Sequence, residues 1–182
     1  KWKNLLAEKN MKYFEVSSSD KIRMEAGQIV INDDTDDSKY ELMALRQVNP
    51  KQITAISMEF MVEKEYRNVF VSILFSHERT YNRHKQFVMT TTHATLYKMG
   101  EKPESVASVG LEKTGVVQVL GAWNRLTVIK EGEHALFLLN DELVSVQPES
   151  SCDVTFDSNT ANACSGCKVK FRDIRILQKV PR

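Results

Sequence analysis

Residues 76–85 of this chain, SHERTYNRHK, gather His77, Arg79, Tyr81, Arg83 and His84 into one short stretch. Side chains of these types suit sugar recognition. An aromatic ring stacks on the apolar face of a pyranose, and a planar guanidinium donates to hydroxyls or to a carboxylate. Arg79, Tyr81, Arg83 and His84 are therefore candidate ligand-binding residues, joined by Tyr66 and Tyr97 if neighbouring strands pair. The plain alternative is a hairpin tip that touches only water, because connecting segments are generically polar.

Other chemistries have weaker support. Glycoside hydrolysis needs two carboxylates about 5 to 9.5 Å apart across a cleft. On a strand, that means acidic residues at i and i+2 or i+4 on one face. Glu63 and Glu65 have such a spacing but fall in MVEKEYRN, which reads as a turn carrying solvated charges. No catalytic residue is expected. Asp33, Asp34, Asp36 and Asp37 could offer oxygens to calcium, yet they lack the EF-hand pattern, and a solvated charged turn is the simpler account. No cofactor is expected, calcium being the one metal left open. Serine-triad motifs, Gly-rich phosphate loops and nucleotide fingerprints do not occur.

Cys152, Cys164 and Cys167 all lie in the last third of the chain. Structural zinc needs four ligands, and none of the four histidines is near in sequence, so the set is one short. A redox Cys-x-x-Cys belongs at a helix start in a βαβ context that this chain lacks. A disulfide from Cys152 to Cys164 or Cys167 is the expectation, stabilising by about 3 kcal/mol under the loop-entropy model. The third cysteine is then free for a partner. Such usage fits an extracellular or periplasmic domain, with three reduced cytosolic thiols as the alternative.

The elements that position these residues are strands. With 182 residues, one domain over 1–182 is the natural organisation. A chain of that size buries roughly 70% of its unfolded surface and does not require disulfides to fold. Residues 123–146, WNRLTVIKEGEHALFLLNDELVSV, read as three strands broken at Glu131-Gly132 and Asn140-Asp141. Asn and Asp tolerate positive φ, which suits two-residue turns between antiparallel strands. Residues 21–32 form a hairpin around Ala26-Gly27. From 53 to 62 the alternation is strict: Ile56, Met58, Phe60 and Val62 share one face, with Ser57 and Glu59 on the other.

Residues 69–75, VFVSILF, suggest a central strand covered on both sides. Strands are also expected at 87–92, 94–99 and 116–120, with a loop around Gly100, Pro103 and Ser105. In the last strand, 168–177, Val169 and Phe171 differ in parity from Ile174 and Ile176. One extra residue near Arg172-Asp173 repairs the phase, which is a β-bulge. The N-terminal Trp2, Leu5, Leu6 and Phe14 are expected to dock on the core. Trp123 reads as a core residue capping the sandwich. The class is all-β, a sandwich of about ten short strands with turns at sandwich-like intervals.

Certain motifs resemble a known family. Gly121, Trp123-Asn124, Gly132, Leu138-Leu139-Asn140 and Val144 are similar to the G-x-W-N … G … L-N-G-x-x-V stretch of the 3-keto-disaccharide hydrolase-like domain family. VKFRDIRI at 169–176 resembles its closing V-x-F-R-N-I-R-I strand, and Trp2, Leu5 and the segment 26–30 resemble its opening pattern. The resemblance implies a concanavalin A-like, laminin-G-like jelly roll. It also implies a hydrolase or lyase acting on a 3-keto disaccharide. The family's N-S-G-I and Y-E-x-Q segments align with residues 68–71 and 86–89, where the Gly and the Glu are absent.

The expected function is a non-catalytic, lectin-like domain for a carbohydrate or a surface protein. Alternatives are the glycoside hydrolase or lyase, and a structural module of an extracellular assembly, disulfide-linked or otherwise partnered. Lys plus Arg total 25 against 24 for Asp plus Glu, a net charge of +1, which argues against nucleic acid as a partner. No run approaches the roughly 18 apolar residues of a membrane span, so membrane insertion is not expected.

Overall fold

The protein is described by a computed structural model covering residues 1–8, 11–16, 20–32, 43–48, 52–64, 69–76, 84–98, 100–148 and 168–179. The candidate residues Tyr66, Arg79, Tyr81 and Arg83, the acidic run at 33–37, Glu65 and all three cysteines lie outside the described residues.

Two antiparallel sheets form a jelly-roll β-sandwich. The larger sheet runs, from one edge, through β13 (Glu142–Pro148), β12 (His134–Leu139), β11 (Trp123–Glu131), β6 (Ile53–Lys64), β14 (Lys168–Gln178), β4 (Gln28–Asn32) and β3 (Ile22–Glu25). The short β1 (Trp2–Asn4) pairs with the second half of β14. The smaller sheet is β10 (Glu104–Gly110), β9 (His93–Lys98), β8 (His84–Thr90) and β7 (Val69–Ser76). A separate pair joins β2 (Phe14–Val16) to β5 (Met43–Leu45).

Alternation sets what lies between the sheets. Phe60 of β6, Phe171 of β14, Phe137 of β12 and Phe87 of β8 are the largest fully buried side chains, and they belong to one continuous core. Phe171 lies in register with Phe60 on one side and Ile29 on the other. Apolar area removed from water at roughly 25 cal/mol per Å² is the main force holding the two layers together.

The turns follow the residues that favour them. Ala26-Gly27 and Asn140-Asp141 both have positive φ at each position, 49° and 78°, then 51° and 68°. That is the conformation whose twist matches a two-residue hairpin. Asn140 also ties its turn to the neighbouring strand. Its Oδ1 accepts the Arg125 backbone N–H at 2.8 Å, its Nδ2 donates to Asn124 Oδ1 at 2.9 Å, and its own N–H donates to the Arg125 carbonyl at 2.8 Å. Asn124 is buried, so its amide oxygen has no easy substitute for that donor. Replacing Asn140 with alanine should therefore cost about 2 to 4 kcal/mol, from orphaned polar groups plus a strained φ. Asn140→Gly, which relieves the strain, should lose measurably less. Urea midpoints of the two variants check this ordering.

In β14 the bulge is present. Arg172 pairs with Glu59 and Arg175 with Ser57, so one residue more is used on β14 than on β6, and Asp173 sits at φ 52°. The phase shift keeps Val169, Phe171, Ile174 and Ile176 in the core, and it leaves both Arg172 and Arg175 on the outer side.

Four expectations need correction. Residues 116–120 are not a strand: Leu120 makes only an isolated bridge to Val62 and Val117 is almost wholly exposed. The strand is instead β10, ESVASVG, which takes in Ser105 of the expected loop. A register shift between Ser105 and Ala107 lets Val106, Ala107 and Val109 all pack against the core. Second, among the described residues β7 pairs with β8 alone and so stands at the end of its sheet, not in the central place expected. Apolar composition reports covered faces, not hydrogen-bonded neighbours. Third, Leu5, Leu6 and Phe14 are buried, but Trp2 stands exposed on β1. Fourth, Trp123 is not in the core. It shares the outward parity of Arg125 and Thr127.

Candidate functional site

The outer face of the larger sheet, away from the core, carries a ladder of polar side chains built on β11, β6 and β14. Each strand contributes every second residue, so registry alone decides who meets whom. Thr127, Ser57 and Arg175 form one rung, Arg125, Glu59 and Arg172 the next, and Trp123, Met61 and Lys170 the third. Glu63 closes the series. β6 extends through Lys64, so Glu63 belongs to the strand and not to the turn expected there.

Glu59 is the centre of the second rung. Its Oε1 accepts from Arg125 Nη2 at 2.6 Å and its Oε2 from Arg172 Nε at 2.5 Å. The Arg172 guanidinium also lies over the Trp123 ring, 4.0 Å from its centroid. One carboxylate thus holds two guanidinium groups flat, and one of them rests on an indole. This is a rigid arrangement for side chains that are otherwise long and mobile, and a held guanidinium loses less freedom when it binds. Glu63 repeats the device with Lys168, at 2.8 Å, and Lys170. Ser57 and Thr127 share a 3.0 Å hydroxyl contact between the arginines' rung and the sheet beyond.

Burial alone would push the Glu59 carboxyl up, but the hydrogen bonds and charges of Arg172 and Arg125 together outweigh it and hold it below the ordinary glutamate range. For Glu63 the hydrogen bonds from Lys168 and Lys170 lead, again downward. A carboxyl whose folded pKa is depressed contributes stability that is present above its unfolded pKa and is lost as pH falls through the folded value. Stability should therefore decline from about pH 4.3 downward. Glu59→Gln, which cannot ionise, should be less stable than the parent at neutral pH and should lose less on acidification. Urea midpoints measured from neutral pH into the acid range check both signs. Parallel pH profiles for the two proteins would refute the linkage.

The outer face of the smaller sheet is the second candidate surface. There Gln86, Tyr97 and Ser105 make one rung, and Val88, Thr95 and Ser108 another. Thr95 and Ser108 share a 3.0 Å hydroxyl contact. Tyr97 is half-buried. His84 opens β8, opposite Ser76. Because the core lies between the sheets, Tyr97 and the Trp123–Glu59 ladder are on opposite sides of the sandwich and cannot serve one ligand. Trp123, Arg125, Arg172 and Glu59 were missed as a group because Glu59 is 66 residues from Arg125 and 113 from Arg172. The signal that could have found them was the outward parity of the very strands singled out as motifs. Among the described residues, no group of three or more His, Cys, Asp or Glu is placed to hold a metal ion.

No family model and no curated protein matches this chain. Solved structures do. A glycosyl hydrolase candidate from Parabacteroides distasonis superposes with a TM-score of 0.68 at 13% identity, over 98% of this chain and 94% of that one. The carbohydrate-binding module CBM66 from Bacillus subtilis gives 0.64 at 9% identity, covering 92% and 98%. The binding domain of botulinum neurotoxin serotype D gives 0.55 at 13%, covering 94% of this chain but 44% of that one. At such identities the likeness establishes the jelly-roll β-sandwich fold alone.

Proposed function

We propose that this domain binds carbohydrate without turning it over, on the outer face of the larger sheet, through Trp123, Arg125 and Arg172. The observation that carries this is the Arg172 guanidinium, clamped by Glu59 and laid on Trp123. Indole and guanidinium together offer an apolar plane and directed donors, the pair of surfaces a sugar ring presents in complement. Whole-chain likeness to a carbohydrate-binding module supports the choice.

Against hydrolysis stands the chemistry of the ladder. A general acid needs a raised pKa, whereas Glu59 and Glu63 are both held low. Each is also already engaged by two cations, Glu59 by Arg125 and Arg172 and Glu63 by Lys168 and Lys170. Kinship with the 3-keto-disaccharide hydrolase-like family, without its activity, is part of the same proposal. So are an extracellular or periplasmic location and a disulfide among the three cysteines.

A glycan array followed by product analysis tests it. Retention of glycans without released sugar is the expected outcome. Release from a 3-keto disaccharide would overturn the non-catalytic assignment, and absence of any glycan binding would overturn the whole. A second function has one observation in its favour: Leu143 and Val146 on the edge strand β13 are 53% and 46% exposed. An assembly module would use that edge, and sedimentation would then show self-association in the absence of glycan.

A further inference from the structure

We infer that the ligand of the Trp123 face is an acidic glycan, one whose carboxylate or sulfate groups meet the cations of β11 and β14; this rests on the carbohydrate-binding role proposed above. On the rungs from Ser57 to Glu63, Arg125, Lys168, Lys170, Arg172 and Arg175 face Glu59, Glu63 and Asp173. Asp141, at the β12–β13 turn, also acts on Arg125 through its charge. Glu25 and Arg23 act on Lys168 likewise, and with all three counted cations still outnumber carboxylates.

Depth matters more than number. The Glu59 side chain is 16% exposed, beneath Arg125 at 42% and Arg172 at 41%, and Asp173 is 24% exposed beside Arg175 at 49%. At Glu63 the order is mixed: Lys168, 36% exposed, stands above the carboxylate at 28%, and Lys170, at 23%, lies below it. The Glu59 and Asp173 carboxylates are therefore spent inside the sheet surface, orienting the cations above them, and a ligand approaching there from solvent meets N–H donors. A guanidinium has five donors and an ammonium three, so each cation keeps several after its ion pair is made. Those donors suit anionic oxygen, in a fork geometry at the arginines.

Spacing favours a chain over a lone anion. The two cation clusters are centred on Glu59 and Glu63, roughly 13 Å apart along β6, with Trp123 and Met61 on the rung between. A glycan whose acidic groups are separated by neutral ring faces can alternate with that pattern. A nucleic acid fits it less well, because its dense phosphates would also meet the interleaved carboxylates.

The test is calorimetric titration with a panel of hexasaccharides: uronate-containing, sulfated, and the carboxyl-reduced or desulfated counterpart of each, with duplex DNA alongside. At least one acidic member should bind, its neutral counterpart at least about tenfold more weakly, and affinity should fall with added salt. Lys170→Gln should weaken the acidic ligand and leave neutral-glycan binding little changed, whereas Arg172→Gln should weaken both. Should Arg172→Gln fail to fold, Lys170→Gln carries the comparison. Preference for the sulfated over the uronate member supports the inference and identifies the group. Equal binding of acidic and neutral members would overturn it and leave the carbohydrate-binding role standing. Binding of no glycan, or of DNA in preference, would overturn both.

Discussion

Trp123→Ala is expected to weaken glycan binding by at least about tenfold, equivalent to about 1.4 kcal/mol, while leaving the urea midpoint little changed. The indole stands half-exposed on the outer rung and contributes little to the core. Its removal takes away an aromatic plane, and with it the surface on which the Arg172 guanidinium rests. Arg172 keeps its bond to Glu59, so the strand pairing survives. A conservative Trp123→Phe should recover part of the loss, because a smaller ring still offers a face. Calorimetric affinities beside urea melts separate the two effects. Equal affinity for parent and Trp123→Ala would remove Trp123 from the site.

The opposite pattern is expected one position away from Arg172 on β14. Phe171 is fully buried between Phe60 and Ile29, in a core where deleting an aromatic ring typically costs about 3 to 5 kcal/mol. Domains of this kind are stable by only about 5 to 15 kcal/mol, so Phe171→Ala should remove a large part of the total. With a urea m-value of about 2 kcal/mol/M, the midpoint should fall by about 1.5 to 2.5 M. A smaller shift, under about 0.5 M, would mean that the two sheets do not meet at Phe171 as described. Alternation thus divides β14 into a side that holds the fold and a side that meets solvent.

That division explains what could be read in advance. The bulge in β14 was legible because Val169, Phe171, Ile174 and Ile176 disagree in parity, and only an inserted residue reconciles them. Ala26-Gly27 and Asn140-Asp141 were legible because few residues accept positive φ. β10 was not, since a register shift within it hides the alternation on which strand recognition depends. Trp123 was misplaced because a large aromatic at a strand entrance is usually core, and its parity with Arg125 was outweighed by its size.

The ladder itself had no local signature. Glu59 reads as one outward acidic residue among many until β11 and β14 are laid on either side of β6. Only the sheet order makes Arg125 and Arg172 its neighbours. The loop candidates were chosen on composition, and the one whose side chain is described, Tyr97, lies on the far side of the sandwich in a rung with Gln86 and Ser105. Motifs in the meander and the closing strand marked scaffold and proposed site at once, since Trp123, Arg125, Lys170, Arg172 and Arg175 are their outward members.

Amide chemical-shift mapping with a bound acidic oligosaccharide tests the location of the site most directly. The account predicts that the largest shifts fall on residues 57–63, 123–127 and 168–175, the three strands of the ladder. Shifts centred instead on Gln86, Tyr97 and Ser105 would place the ligand on the opposite face and contradict it.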